Sequence, residues 1–134
     1  MELKNRTVLI TGGTSGLGYQ FASRFHALGN TVIITGRDQA KLDATSARLP
    51  GIHAFQNDVS DPGAIQALFN KISSQFAGLD ILINNAGEMR TIKLQDSVAD
   101  MPDITREIDI NLTGPIRMIQ QFLPLLKKSL SAAI

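Results

Sequence analysis

A chain of 134 residues that is 43% hydrophobic is long enough to bury one core and short for two. Its 13 basic and 12 acidic residues leave a formal net charge of +1, with no basic run longer than Lys127-Lys128, which argues against nucleic acid and for a small-molecule partner. The lack of cysteine removes disulfides, thiolate zinc sites and cysteine nucleophiles, so redox chemistry would need a cofactor.

The N-terminal residues Met1-Glu2-Leu3-Lys4-Asn5-Arg6 lack the basic-then-apolar layout of a signal peptide. No apolar stretch approaches the ~18 residues of a membrane span, so the expectation is a cytoplasmic protein without a membrane partner. Along the chain, short β-rich runs alternate with helix-period segments. The pattern predicts strands at 7–10, 31–35, 52–56 and 79–84 and helices at 17–28, 39–48 and 62–76, which read as successive βαβ units and a parallel sheet.

In the first helix Leu17, Phe21, Phe25 and Leu28 recur at steps of four, four and three, which predicts the buried face, and Gly29 supplies the stop. Asp38 is the expected N-cap of the second helix. Asp61 and Pro62 open the third, whose stripe is Ile65, Leu68, Phe69, Ile72 and Phe76. The run Leu79-Asp80-Ile81-Leu82-Ile83 is nearly continuous apolar sequence, as in a strand covered on both faces at a sheet centre. After Gly87 the periodicity lapses until about Met101. Ile108, Leu112, Ile116, Ile119, Leu123 and Leu126 then predict a long helix from about Asp103 to Lys128. Pro115 and Pro124 interrupt it, leaving the carbonyls of Asn111 and Gln120 without their usual N–H partners. No repeat or linker divides the sequence, so residues 1–134 read as a single unit.

Chemistry enters at Thr11-Gly12-Gly13-Thr14-Ser15-Gly16-Leu17-Gly18, between the first strand and the first helix. A turn in that place binds pyrophosphate because unpaired N–H groups at a helix start face the anion while glycines let it approach. The spacing alone also suits an ordinary glycine-rich turn; its position favours a dinucleotide site. The second strand ends on Thr35-Gly36-Arg37, where an acid would normally hold the adenosine ribose hydroxyls. Arg37 instead favours a 2′-phosphate, hence NADP(H) over NAD(H), the alternative being a solvated loop arginine. His26 and His53 lack metal-ligand spacing, and no metal site is expected. Tyr19, next to Gly18, is expected to pack or to shield the turn.

Together these motifs resemble the short-chain dehydrogenase/reductase (SDR) family, in its classical branch, over essentially the whole chain. Thr11 to Gly18 is similar to the family's Thr-Gly-x-x-x-Gly-x-Gly fingerprint, Asp58-Val59 to its acidic dipeptide after the third strand, and Asn84-Asn85-Ala86-Gly87 to its signature after the fourth. The resemblance implies an α/β, Rossmann-like doubly wound parallel sheet. For residues 1–134 the resemblance implies an incomplete dinucleotide-binding domain, truncated after the fourth strand and the following long helix. Gly12, Thr14, Ser15, Gly16, Leu17 and Gly18 would cradle the nicotinamide dinucleotide. The Asp58 side chain and Val59 main chain would bracket the adenine, and Asn85, Ala86 and Gly87 would line the groove. Asp58 could also cap the next turn, and Asn84-Asn85 could tie neighbouring strands together.

Asn111 matches the family's catalytic asparagine, whose main-chain carbonyl holds a relay water; Pro115, four residues on, would keep that carbonyl free. A helix kink is the simpler alternative. The family's strand order 3-2-1-4-5 implies 3-2-1-4 here, with Ala132-Ala133-Ile134 starting a fifth strand. It also implies an open edge at the fourth strand and self-association through that edge and the long helix. Full-length relatives act on small carbonyl or alcohol substrates through a serine and a Tyr-x-x-x-Lys motif. The only tyrosine here is Tyr19, followed four residues on by Ser23, so the chain alone is expected not to turn over. A stand-alone NADP-binding or assembly module and a non-functional gene remnant are the other readings.

Overall fold

The computed structural model describes residues 3–96 and 101–134; Met1, Glu2 and part of the aperiodic stretch, 97–100, lie outside the described residues. Four strands, β1 (Thr7–Thr11), β2 (Thr31–Gly36), β3 (His53–Gln56) and β4 (Ile81–Ile83), alternate with α1 (Gly16–Ala27), α2 (Gln39–Arg48) and α3 (Pro62–Gln75). The strands form one parallel sheet in the order β3-β2-β1-β4, with Leu9 opposite both Ile33 and Leu82. Because successive side chains alternate, each strand feeds two cores. Leu9, Ile33 and Leu82 join Ile65, Ile72 and Phe122 on one face, and Val8, Ile10, Val32 and Ile34 join Ala22 and Leu42 on the other. The sheet is therefore covered by helices on both sides, as a doubly wound α/β fold requires.

Local signals hold at several helix ends. The Asp61 carboxylate accepts from the N–H groups of Gly63 and Ala64 with Pro62 opening α3, and Asp38 accepts from Lys41 N at 3.1 Å. Gly29 follows α1 at φ +79°, a left-handed stop that favours glycine.

Two predicted helix faces are corrected. In α1 the buried residues are Gly18 and Ala22, with Phe25 packed at the core edge, whereas Leu17 is 72% exposed and Phe21 and Leu28 also face outward. The inward face is rotated roughly a quarter turn from the large-residue stripe. Its cause is closeness: a Cβ on Gly18 would lie 2.1 Å from the Gly12 carbonyl oxygen, so only small residues fit where the helix meets the glycine turn.

The predicted long helix is four pieces: α4 (Met101–Ile104), α5 (Arg106–Ile108), a π turn at Asp109–Thr113 and α6 (Gly114–Leu126). Gly114 N–H bonds the Asp109 carbonyl, five residues back, immediately before Pro115, which has no N–H to offer Asn111. Ile108, Leu112, Ile116 and Leu123 end up exposed, while Ile110, Gly114, Met118, Phe122, Leu125 and Leu126 turn inward. Pro124 lies within α6, which continues through it.

The fourth strand is shorter than predicted and lies at the end of the four-strand order, not at its centre, yet both of its faces are covered. Its outer edge is not wholly open. Ala133 forms a parallel bridge with Ile81, donating to the Asp80 carbonyl and accepting from Leu82 N, both at 3.0 Å.

The amino ends of the strands are densely bonded. Asn30, just before β2, accepts from Arg6 N and donates to the carbonyls of Leu3 and Phe25. Asp80 accepts from Thr7 N at 2.8 Å and from the Ser129 hydroxyl at 2.6 Å, with Arg6 at 3.6 Å. Burial pushes the Asp80 pKa up, but these two hydrogen bonds and the Arg6 guanidinium outweigh it and hold it below the ordinary 3.8.

Candidate functional site

At the carboxyl ends of the same strands, the sequence motifs converge on one groove of about 440 Å³. The glycine turn is stitched to the segment after β4 through Thr11. Its hydroxyl accepts from the N–H groups of Asn85 and Ala86, both at 3.0 Å, and Asn85 Nδ2 donates back to the carbonyls of Thr11 and Gly12. Asn85 thus ties strands together, as one reading of the sequence held, while it also lines the groove. Gly12, at φ +66°, leaves no room for a Cβ, which would sit 2.9 Å from Ala86 Cα.

Gly16 is different. It has φ +53° and nothing lies within 4 Å of where its Cβ would be, so this part of the turn opens outward. Ser15, the N-cap of α1, makes no side-chain capping bond, and the first turn carries no acidic residue. A helix start left without a side-chain acceptor favours an anion.

The groove collects Gly12, Thr14, Ser15 and Leu17 from the turn, Arg37 from the end of β2, Asp58 and Val59 after β3, and Asn85, Ala86 and Gly87 after β4. Gly16 and Gly18 shape the turn without lining the cavity; Gly18 is the contact point against Gly12 and Asn85. Asn111 does not line the groove. Its Oδ1 accepts from Glu88 N at 2.8 Å and its Nδ2 donates to the Glu88 carbonyl at 2.7 Å, so the π turn is clamped to the segment following Gly87.

Asp58 both lines the groove and caps its own turn, accepting from Ser60 N and the Ser60 hydroxyl through Oδ1. Burial raises its pKa, but those Ser60 bonds and the positive charges of Arg37 and Arg106 prevail and hold it below 3.8. Six lining residues were not assigned to the site from sequence: Thr35, Gly36 and Asp38 on either side of Arg37; Lys41, one turn after it; Asn57; and Ile110 on the π turn. Both amide atoms of Asn57 and the hydroxyl of Thr35 are buried without a partner at the groove floor. Such groups are costly unless a ligand or water meets them. The only sequence signal for Asn57 is its place beside Asp58.

Other singled-out residues serve packing. His53 meets the Phe76 ring edge-on with centroids 4.9 Å apart, and among the described residues no three His, Asp or Glu side chains gather as a metal set. No helix among the described residues is long and apolar enough to cross a membrane.

Comparison with known proteins agrees with this geometry. Residues 6–134 match the family described as short chain dehydrogenase. The chain is 38% identical over its whole length to the uncharacterized oxidoreductase DltE of Bacillus subtilis, covering 53% of that protein. It is 35% identical to dehydrogenase/reductase SDR family member 7B of Mus musculus, with 91% of this chain and 40% of that one aligned. A short-chain dehydrogenase structure from Streptomyces avermitilis superposes with a TM-score of 0.84 at 27% identity, over 96% of this chain and 47% of that chain. The chain thus spans about half the length of the curated relatives it matches. It belongs to the short-chain dehydrogenase family of oxidoreductases, which bind nicotinamide dinucleotides.

Proposed function

We propose that this chain is the NADP(H)-binding part of a short-chain dehydrogenase whose full-length relatives move hydride between the nicotinamide and a carbonyl or alcohol. One observation carries the cofactor preference. At the end of β2 the groove is lined by two cations, Arg37 and Lys41, with Asp38 beside them accepting from Lys41 N through Oδ1 as the cap of α2. Arginine and lysine together suit a 2′-phosphate, and the capping bond ties one oxygen of the Asp38 carboxylate to the start of α2.

The remaining residues fit the rest of a dinucleotide. The outward-opening Gly16 and the start of α1 face the pyrophosphate, and Asp58 with the Val59 main chain meets the adenine edge. When bound, the nicotinamide supplies or accepts the hydride. In the chain itself Asn111 holds its turn against Glu88, and Pro115 leaves the Asn111 carbonyl without an α-type donor for a relay water to replace. No Tyr-x-x-x-Lys occurs in the 134 residues, and Tyr19 lies on α1, so the chain alone binds cofactor without turning it over. Exposed Leu112, Ile116 and Leu123 form the surface through which copies associate.

Titration calorimetry with NADPH and NADH tests the reading. The wild type is expected to prefer NADPH, and Arg37→Asp to lose about tenfold of that preference. Unchanged discrimination removes Arg37 from the site. Oxidation of NADPH by the purified chain in the presence of carbonyl compounds overturns the inactivity.

A further inference from the structure

Glu88 follows directly on Gly87 and carries a side chain only 17% exposed, yet it is enclosed by three guanidiniums. Its Oε2 is buried between Arg37 Nη2 at 3.3 Å and Arg106 Nη2 at 3.1 Å, and its Oε1 faces Arg90 Nε at 3.5 Å. Arg90 is in turn held by Asp103 and Glu107, so that arm of the cluster is fixed. Arg37 is 49% exposed, lines the groove at the end of β2 and pairs with Glu88, the residue that follows the lining residue Gly87.

We propose that Glu88 is a specificity-determining latch: its carboxylate pairs with Arg37, and a 2′-phosphate must take Arg37 from it. The proposal rests on the reading of Arg37 as the 2′-phosphate contact. Glu88 is an anion already seated between two arginines, so an incoming phosphate gains the difference between two anionic partners and not the full value of a free guanidinium. A ligand without a 2′-phosphate has no such exchange to make. The latch therefore compresses the preference for NADP(H) over NAD(H) that Arg37 creates.

The test uses the 134-residue chain, calorimetry and two probes, 2′,5′-ADP, which carries the 2′-phosphate, and 5′-AMP, which lacks it. Glu88→Gln is expected to bind 2′,5′-ADP about two- to fivefold more tightly than wild type, the range such an ion pair is worth, with 5′-AMP unchanged. In an Arg37→Met background the Glu88 substitution is expected to have no effect on either probe. If Arg37→Met weakens 2′,5′-ADP but Glu88→Gln does not tighten it, the latch is wrong and the cofactor reading stands. If Arg37→Met costs nothing, both fall. A measurement on the wild type covers the case in which Glu88→Gln does not fold: the Arg37 Nε–H resonance is expected to shift with 2′,5′-ADP and not with 5′-AMP. A resonance unmoved by 2′,5′-ADP overturns the exchange.

Discussion

The two ends of the sheet differ in how completely their buried polar groups are bonded within the chain. At the amino ends, Asn30 makes three hydrogen bonds and Asp80 has partners on both carboxylate oxygens. At the carboxyl ends, Thr35 Oγ1, both amide atoms of Asn57 and Asn84 Oδ1 are buried with none. The same strands serve both ends, so strand chemistry cannot explain the contrast. Groups satisfied within the chain hold the fold, and under the proposed function the unpartnered atoms of Thr35 and Asn57 at the groove are the ones a nucleotide or water would meet.

Substitutions can break or sharpen that contrast. The largest effect is expected from Gly18→Ala, whose Cβ would meet the Gly12 carbonyl oxygen at 2.1 Å and Asn85 Nδ2 at 2.5 Å. Main chain must move, so urea unfolding should show a loss of about 3 kcal/mol, near the upper range for overpacking, with loss of nucleotide binding. Asn30→Ala comes next. Leaving Arg6 N and two carbonyls without their partner should cost about 2 kcal/mol by the same measurement, with nucleotide affinity unchanged.

Acid titration probes Asp80. Its folded pKa is depressed, so its contribution is present above the unfolded value near 3.8 and is lost as pH falls through the folded value below it. The unfolding midpoint of Asp80→Asn should therefore fall less steeply than that of wild type over this acid range. Asn57→Ala should move stability least, within about 0.5 kcal/mol, because no internal bond is removed, while weakening nucleotide binding. A large stability loss in that variant would erase the distinction between the two ends.

The succession of strands and helices, the helix caps and the glycine turn were legible in sequence because each rests on local chemistry: alternation, a carboxylate before a proline, a left-handed glycine; the strand order came only with the family resemblance. The inward faces of α1 and α6 were not. Counting large apolar residues selected Leu17, Phe21, Leu112 and Ile116, whereas contact distance admits Gly18, Ala22 and Gly114. At Gly114 a Cβ would lie 3.0 Å from the Val59 carbonyl oxygen, and the π turn ahead of it shifts the phase of the helix. The groove's named motifs were visible because they are contiguous strings. Lys41, Asn57 and the arginines around Glu88 come from separate elements, and only the folded chain brings them together.

Thr11 and Asn85 are 74 residues apart, yet Asn85 donates to Thr11 from both its main-chain N–H and its side-chain amide, and these bonds complete the glycine turn. The nucleotide cradle consequently cannot exist before β4 has docked on β1: a chain with only its first βαβ unit formed has the glycines but not the site. Folding and ligand affinity become one equilibrium. A nucleotide present at a hundred times its dissociation constant adds about 2.7 kcal/mol to the stability of the whole parallel sheet, because only the docked sheet can bind it.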